Sequence, residues 1–257
     1  MGLKVFIIKR SPIAETIKIE SEKNFRFFCV EMKDYFAQIT AIVWKDLLSE
    51  FKTKELFGSM FIFAVLSILI FIFSINLSIV NANDVGPGVL WVAFIFSGTL
   101  GLNRSFTSEK ENGCLQGMML TPVDRTAIYF GKVISNFLFL SVMEALILPV
   151  FMIFFNLDII SILFSLLLVI FLGSIGFCIL GTLLSSLASN LKTREIMLPI
   201  LLYPLVTPVV IGSVNMTSRL LAGEKLADMT KWIGLISCFD IIFLALSIMT
   251  IDHILEE

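Results

Sequence analysis

Six apolar stretches of this chain are candidates to cross a hydrocarbon core, which takes a helix of about 20 residues for a core of about 30 Å; the second is short unless it extends toward Phe106. They run from Gly58 to Val80, Gly88 to Leu102, Val133 to Phe155, Ile159 to Ala188, Ile196 to Thr217 and Trp232 to Ile251. Inside a bilayer every backbone N–H and C=O has to find its partner within the protein, so such stretches form helices or closed barrels, and uninterrupted apolar runs select helices. With 57% hydrophobic residues and 25 Phe, the composition lies outside the range of soluble globular chains. The expected fold is all-α and integral to the membrane, with six transmembrane helices. Pro199, Pro204 and Pro208 in the fifth stretch predict a kinked or broken helix.

Basic residues near span ends stay on the cytoplasmic side, and they set the orientation. With the N-terminus inside, sixteen of the 19 Lys and Arg fall on the cytoplasmic side; Arg219, Lys225 and Lys231 remain outside. The chain is therefore expected to be N-in and C-in. Its longest cytoplasmic loop, residues 103–132, is charged and patterned.

Reactive chemistry is hard to place in this sequence. Cys29, Cys114, Cys178 and Cys238 are scattered without metal or redox spacing. The one histidine, His253, lies near the C-terminus. Gly131 and Lys132 are adjacent but lack the remaining glycine and hydroxyl of a phosphate loop. No catalytic residue, metal site, directly bound cofactor or nucleic-acid partner is expected. Two acids at membrane depth, Glu144 and Asp240, do require a reason, because a charge there costs about 2.5–3.5 kcal/mol on insertion scales. Contact with a partner subunit, or protonation, is the expected one. Pro149, five residues after Glu144, frees a carbonyl that the carboxyl group or a water is placed to satisfy. The glycine patterns at 97–101 and 173–181 read as close helix packing.

Three segments divide the chain: an extension at 1–31, an amphipathic helix within 32–57, and a six-span domain at 58–257. Over 36–57, Ile39, Ile42, Val43, Leu47, Phe51 and Leu56 recur near helical period, with Lys45, Asp46 and Glu50 between them. That pattern predicts a helix in the membrane interface, carrying Trp44, Lys45, Asp46 and Glu50, with its basic residues near lipid headgroups. In the 103–132 loop, Ser108 and Glu111 have capping-box spacing, which predicts a short helix beginning there. Leu115, Met118, Met119 and Leu120 are too apolar to be left in water and call for a protein partner or the membrane surface.

These residues carry a likeness. Glu109, Glu111, Gly113, Leu115, Leu120, Pro122, Arg125, Ile128, Tyr129, Gly131 and Lys132 follow a pattern that resembles the first cytoplasmic loop of ABC-2-type permeases, in its details that of the cytochrome c maturation permease of the CcmB type. The segment "WKDLLSEFKTKE" at 44–55 is similar to that family's opening segment, and the likeness covers about residues 32–257. It implies a permease that carries no ATPase and couples to a separate cytoplasmic ATP-binding subunit through a loop helix. ATP is then bound by that partner, and haem is handled by the complex in cytochrome c biogenesis. A second permease copy, a haem-handling membrane protein, a small single-span subunit and a periplasmic haem chaperone are the further partners implied, in a bacterial or organellar inner membrane. Rival readings are an ABC-2 permease exporting a drug, lipid or polysaccharide, and a proton-coupled carrier using Glu144 and Asp240. Family members begin near Met32, so 1–31 reads as an extension.

Overall fold

The computed structural model describes residues 33–50, 52, 55–75, 81–111, 123–157, 159–189 and 194–254, and among them there is no strand. Helix α1 spans 33–50; α2 is Glu55–Ser74, α3 Ala82–Glu111, α4 Arg125–Phe155, α5 Leu163–Ser189, α6 Arg194–Leu221 and α7 Thr230–Ile254. Short 3-10 turns, Ile160–Ile162 and Leu226–Met229, lead into α5 and α7. The six helices from α2 onward are each long and apolar enough to span a membrane, as expected.

The bundle is graded from centre to edge. Helices α3, α4 and α5 each pack against four others of the six spans, whereas α2 and α7 lie at the margin. In the most apolar window of each, 67% of α3 and 50% of α5 is buried, against 22% of α2 and 11% of α7. Between helices in lipid there is no aqueous hydrophobic drive, so close approach rests on small residues and interhelical hydrogen bonds. Both are present at the centre. Gly173 of α5 lets the Trp91 ring of α3 and Ser213 of α6 lie against its backbone. Trp91 Nε1 donates to Thr217 Oγ1 of α6 at 3.0 Å, and Asn136 Nδ2 of α4 donates to Thr182 Oγ1 of α5 at 3.0 Å.

Two expectations are corrected here. The fifth stretch is not broken at its prolines: helix α6 runs through Pro199, Pro204 and Pro208. Pro204 and Pro208 are exposed at its outer face. Each proline removes one N–H and leaves the carbonyl four residues earlier without its helical donor, a local loss that the rest of the ladder carries without ending the helix. The capping box is the second correction: residues 108–111 form the last turn of α3, so no helix starts at Ser108. The helix carries on past its apolar window because the backbone bonds of a running helix are already satisfied, and nothing between Arg104 and Glu111 terminates it.

Candidate functional site

On the side from which α1 enters, the structure builds a joint between α1 and the first two turns of α4. Asp124 caps α4, with Oδ1 accepting from Thr126 N–H at 3.0 Å. This satisfies one of the four orphan donors that open a helix. Helix α1 runs alongside. Tyr35 Oη and Thr126 Oγ1 share a hydrogen bond of 3.1 Å, and Gln38 Oε1 accepts from Asp124 N–H at 3.2 Å. Farther along, Ile42 packs on Gly131, where a Cβ would sit 2.8 Å from Ile42 Cγ2; a glycine is what permits this approach. At the far end, Lys132 Nζ lies 2.9 Å from Asp46 Oδ2, with side-chain exposures of 3% and 7%. Lys45 Nζ reaches the other oxygen of Asp46 at 3.1 Å from the more exposed side.

The corner from α1 into α2 is polar as well. Glu50 Oε1 accepts from Leu56 N–H at 2.8 Å and from Phe57 N–H at 3.2 Å, filling orphan donors at the start of α2 with a negative charge where the helix dipole favours one. Beside it, Arg104 of α3 donates to Glu55 Oε2 at 2.7 Å. The pair is exposed and contributes little by itself. Its geometric effect is to hold the point where α3 leaves its apolar window beside the start of α2.

Deeper in the bundle a polar seam follows α5. Tyr129 Oη donates to Ile179 O at 2.9 Å, Asn136 to Thr182 as above, and Ser174 Oγ to Glu144 Oε1, so three side chains of α4 are stitched to α5. Across α5 the seam meets Ser213 Oγ, which is buried without a hydrogen-bond partner among the described residues. Asp240 Oδ1 of α7, buried against Gly176, is likewise unpartnered there. Replacing Thr217 by Val keeps the side chain's volume and removes the acceptor of the Trp91 Nε1 bond. It is expected to cost about 0.6–1.7 kcal/mol, the range for interhelical hydrogen bonds in a membrane, read as a lower melting midpoint of the purified protein in detergent.

A family model described as CcmB protein matches residues 37–257, which takes in α2 to α7, the α3–α4 segment and all but the first turn of α1. The chain belongs to the CcmB family. It is similar to the heme exporter protein B of Pseudomonas aeruginosa, 28% identical over 148 residues, covering 58% of this chain and 66% of the relative. It is also similar to the heme exporter protein B of Haemophilus influenzae, 30% identical over 129 residues, 49% of this chain and 57% of the relative. A third, from Bradyrhizobium diazoefficiens, is 23% identical over 187 residues, 72% of this chain and 83% of the relative. In the first two of these the match spans just over half to just under two thirds of the relative's length. With six apolar helices and these relatives, the chain is a multi-pass inner membrane protein.

Of the loop residues singled out in the sequence, Tyr129 and Lys132 are buried and bonded, and Arg125 opens α4 half-buried. Glu109 and Glu111 lie in the final turns of α3; Gly113, Leu115, Leu120 and Pro122 fall outside the described residues. In α1, Trp44 is 64% exposed, while Asp46 faces inward, toward Lys132. Glu50 is occupied at the start of α2. Glu144 is 3% exposed and bonded to Ser174 of its own chain, so it is enclosed and not offered to a partner. Its carboxyl bonds α5; Pro149 is exposed on the other side of α4. The Asp46–Lys132 pair is what sequence reading missed. The signal was periodicity: Asp46 continues the buried series Ile39, Ile42, and Lys132 the series Tyr129, Asn136, Leu140, Met143.

Proposed function

We propose that this chain is the membrane permease subunit of an ABC transporter serving cytochrome c biogenesis, handling haem as its relatives' name states. A separate cytoplasmic ATP-binding subunit drives it, and the chain supplies no catalytic group of its own. The observation that carries this reading is α3, which continues as helix from Arg104, where its apolar window ends, to Glu111. Seven residues at 1.5 Å each carry it about 10 Å beyond that window. A rigid stalk of this kind, followed by a short segment and then by α4 locked to α1, forms a lever with no reactive group on it. Displacement of the segment between α3 and α4 is passed on as rigid-body motion.

Haem is handled by the complex, whose further members are a haem-handling membrane protein, a small single-span subunit and a periplasmic haem chaperone whose release the ATP cycle powers. A second copy of the permease completes the transporter. Of the two intramembrane acids, Asp240 is the one assigned to partner contact, since it sits half-buried on the least covered helix. The test is replacement of residues 112–122 by a Gly/Ser linker of equal length. The variant is expected to insert normally yet fail to copurify with the ATP-binding subunit and to raise its ATP hydrolysis. Undiminished stimulation by that variant would overturn the reading.

A further inference from the structure

We propose that the buried Asp46–Lys132 pair is a register latch, which makes α1 and the cytoplasmic end of α4 a single rigid body. Movement of the α3–α4 segment then reaches α4, α1 and the start of α2 together. The inference rests on the preceding reading for the identity of the driving subunit, and extends it by naming the residues that transmit the motion.

Three features support the latch. Contact between α1 and α4 is continuous from Tyr35 to Asp46, a length of about 16 Å at 1.5 Å per residue, so the two elements share a long edge. Along that edge Ile42 on Gly131 is an apolar contact, which sets distance but not register. The ion pair at the far end does set register, because both oxygens of Asp46 are taken, one by Lys132 and one by Lys45. Fixing a register is the best-attested use of a buried polar group. Third, Glu50 ties the end of α1 to the first two peptide N–H groups that follow Glu55 in α2. Helix α1 is thus held to α4 along its length and to α2 at its end. Asp46 and Lys132 are positioning residues, acting through the two helices they join.

The experiment uses the whole complex in membranes, with Cys29, Cys114, Cys178 and Cys238 replaced by alanine. Tyr35→Cys with Thr126→Cys, whose parent hydroxyls are 3.1 Å apart, is joined by a short bifunctional thiol reagent. The cross-link is expected to form equally with and without nucleotide, and to leave ATP-driven release of the haem chaperone within about twofold of the unlinked complex, as expected for elements that do not separate during the cycle. Replacing Asp46 by Leu and Lys132 by Met together keeps the site packed, so the chain still inserts and still binds the ATP-binding subunit. Without the register it is expected to give a lower cross-link yield and about tenfold less release per ATP hydrolysed, a factor worth about 1.4 kcal/mol of coupling. Release is expected to return in the cross-linked fraction. Loss of release on cross-linking the native pair, or normal release and unchanged cross-link yield in the double variant, would overturn the latch. Absence of any ATPase stimulation by the unmodified chain instead overturns the functional reading, and the cross-link yields still judge the latch.

Discussion

Lys132→Met and Asp46→Leu are each expected to destabilise the cytoplasmic half of the bundle, whereas the two together are expected to cost little. Removing one member of a buried ion pair costs about 3–5 kcal/mol, because the other charge stays out of water without its partner; replacing both by apolar groups of similar volume is often neutral. Lys132→Met leaves Asp46 with Lys45 at 3.1 Å on its more exposed side, so its cost falls at the low end, about 3 kcal/mol. Asp46→Leu takes the carboxylate away from an ammonium whose side chain is 3% exposed, and its cost is expected within about 3–5 kcal/mol. Melting midpoints of the four proteins in one detergent form a double-mutant cycle whose coupling energy isolates the pair. Equal midpoints for the native and single-variant proteins would show that the pair is hydrated and contributes nothing.

Gly173→Leu is expected to prevent assembly of the three central helices. A Cβ at this position would lie 2.6 Å from Ser213 Oγ and 2.7 Å from Trp91 Cζ3, so α3 and α6 both have to move, and with them the Trp91–Thr217 bond. Overpacking by even a methyl group typically costs about 1–3 kcal/mol, which is the expectation for Gly173→Ala. Leucine adds three further carbons to a site with no space for the first. The internal control is Gly234 on α7, where nothing lies within 4 Å and the ring of neighbours is open. Gly234→Ala is expected to be neutral or to stabilise by up to about 1 kcal/mol, the helix-propensity difference. The fraction of each variant recovered as a monodisperse peak after detergent extraction separates the two sites. Similar recovery of Gly173→Leu and Gly234→Ala would mean that the glycine at 173 is incidental.

The membrane helices were legible in the sequence because a bilayer imposes one length and one chemistry on everything that crosses it. Their ends were less so. The second apolar stretch, from Gly88, is too short by itself, and the helix extends it at both ends, to Ala82 and to Glu111, because polar residues near the ends of a membrane helix meet water and not lipid. Ser108 and Glu111 have the spacing of a helix start, but spacing is shared by any two residues one turn apart inside a helix. The segment before the first span was legible as amphipathic, but not the direction in which its acids face. Asp46 faces inward because a cation 86 residues downstream is brought beside it by the fold, and no local pattern records such a meeting. Glu144 illustrates the same limit: its depth was evident from the third apolar stretch, and its partner Ser174 was not, since it comes from a helix whose facing side the sequence does not specify.

The distance along the chain between Asp46 and Lys132 also has a meaning in time. Asp46 leaves the ribosome 86 residues ahead of the lysine that pairs with it, an interval on the order of ten seconds at about 5–20 residues per second. During that interval two membrane spans, α2 and α3, have to enter the bilayer while α1 waits beside them with its acid in water. Only when the start of α4 emerges does α1 acquire its seat. The chain therefore closes its cytoplasmic end from behind, after the first hairpin is in place, and the first of the described helices is among the last to be fixed.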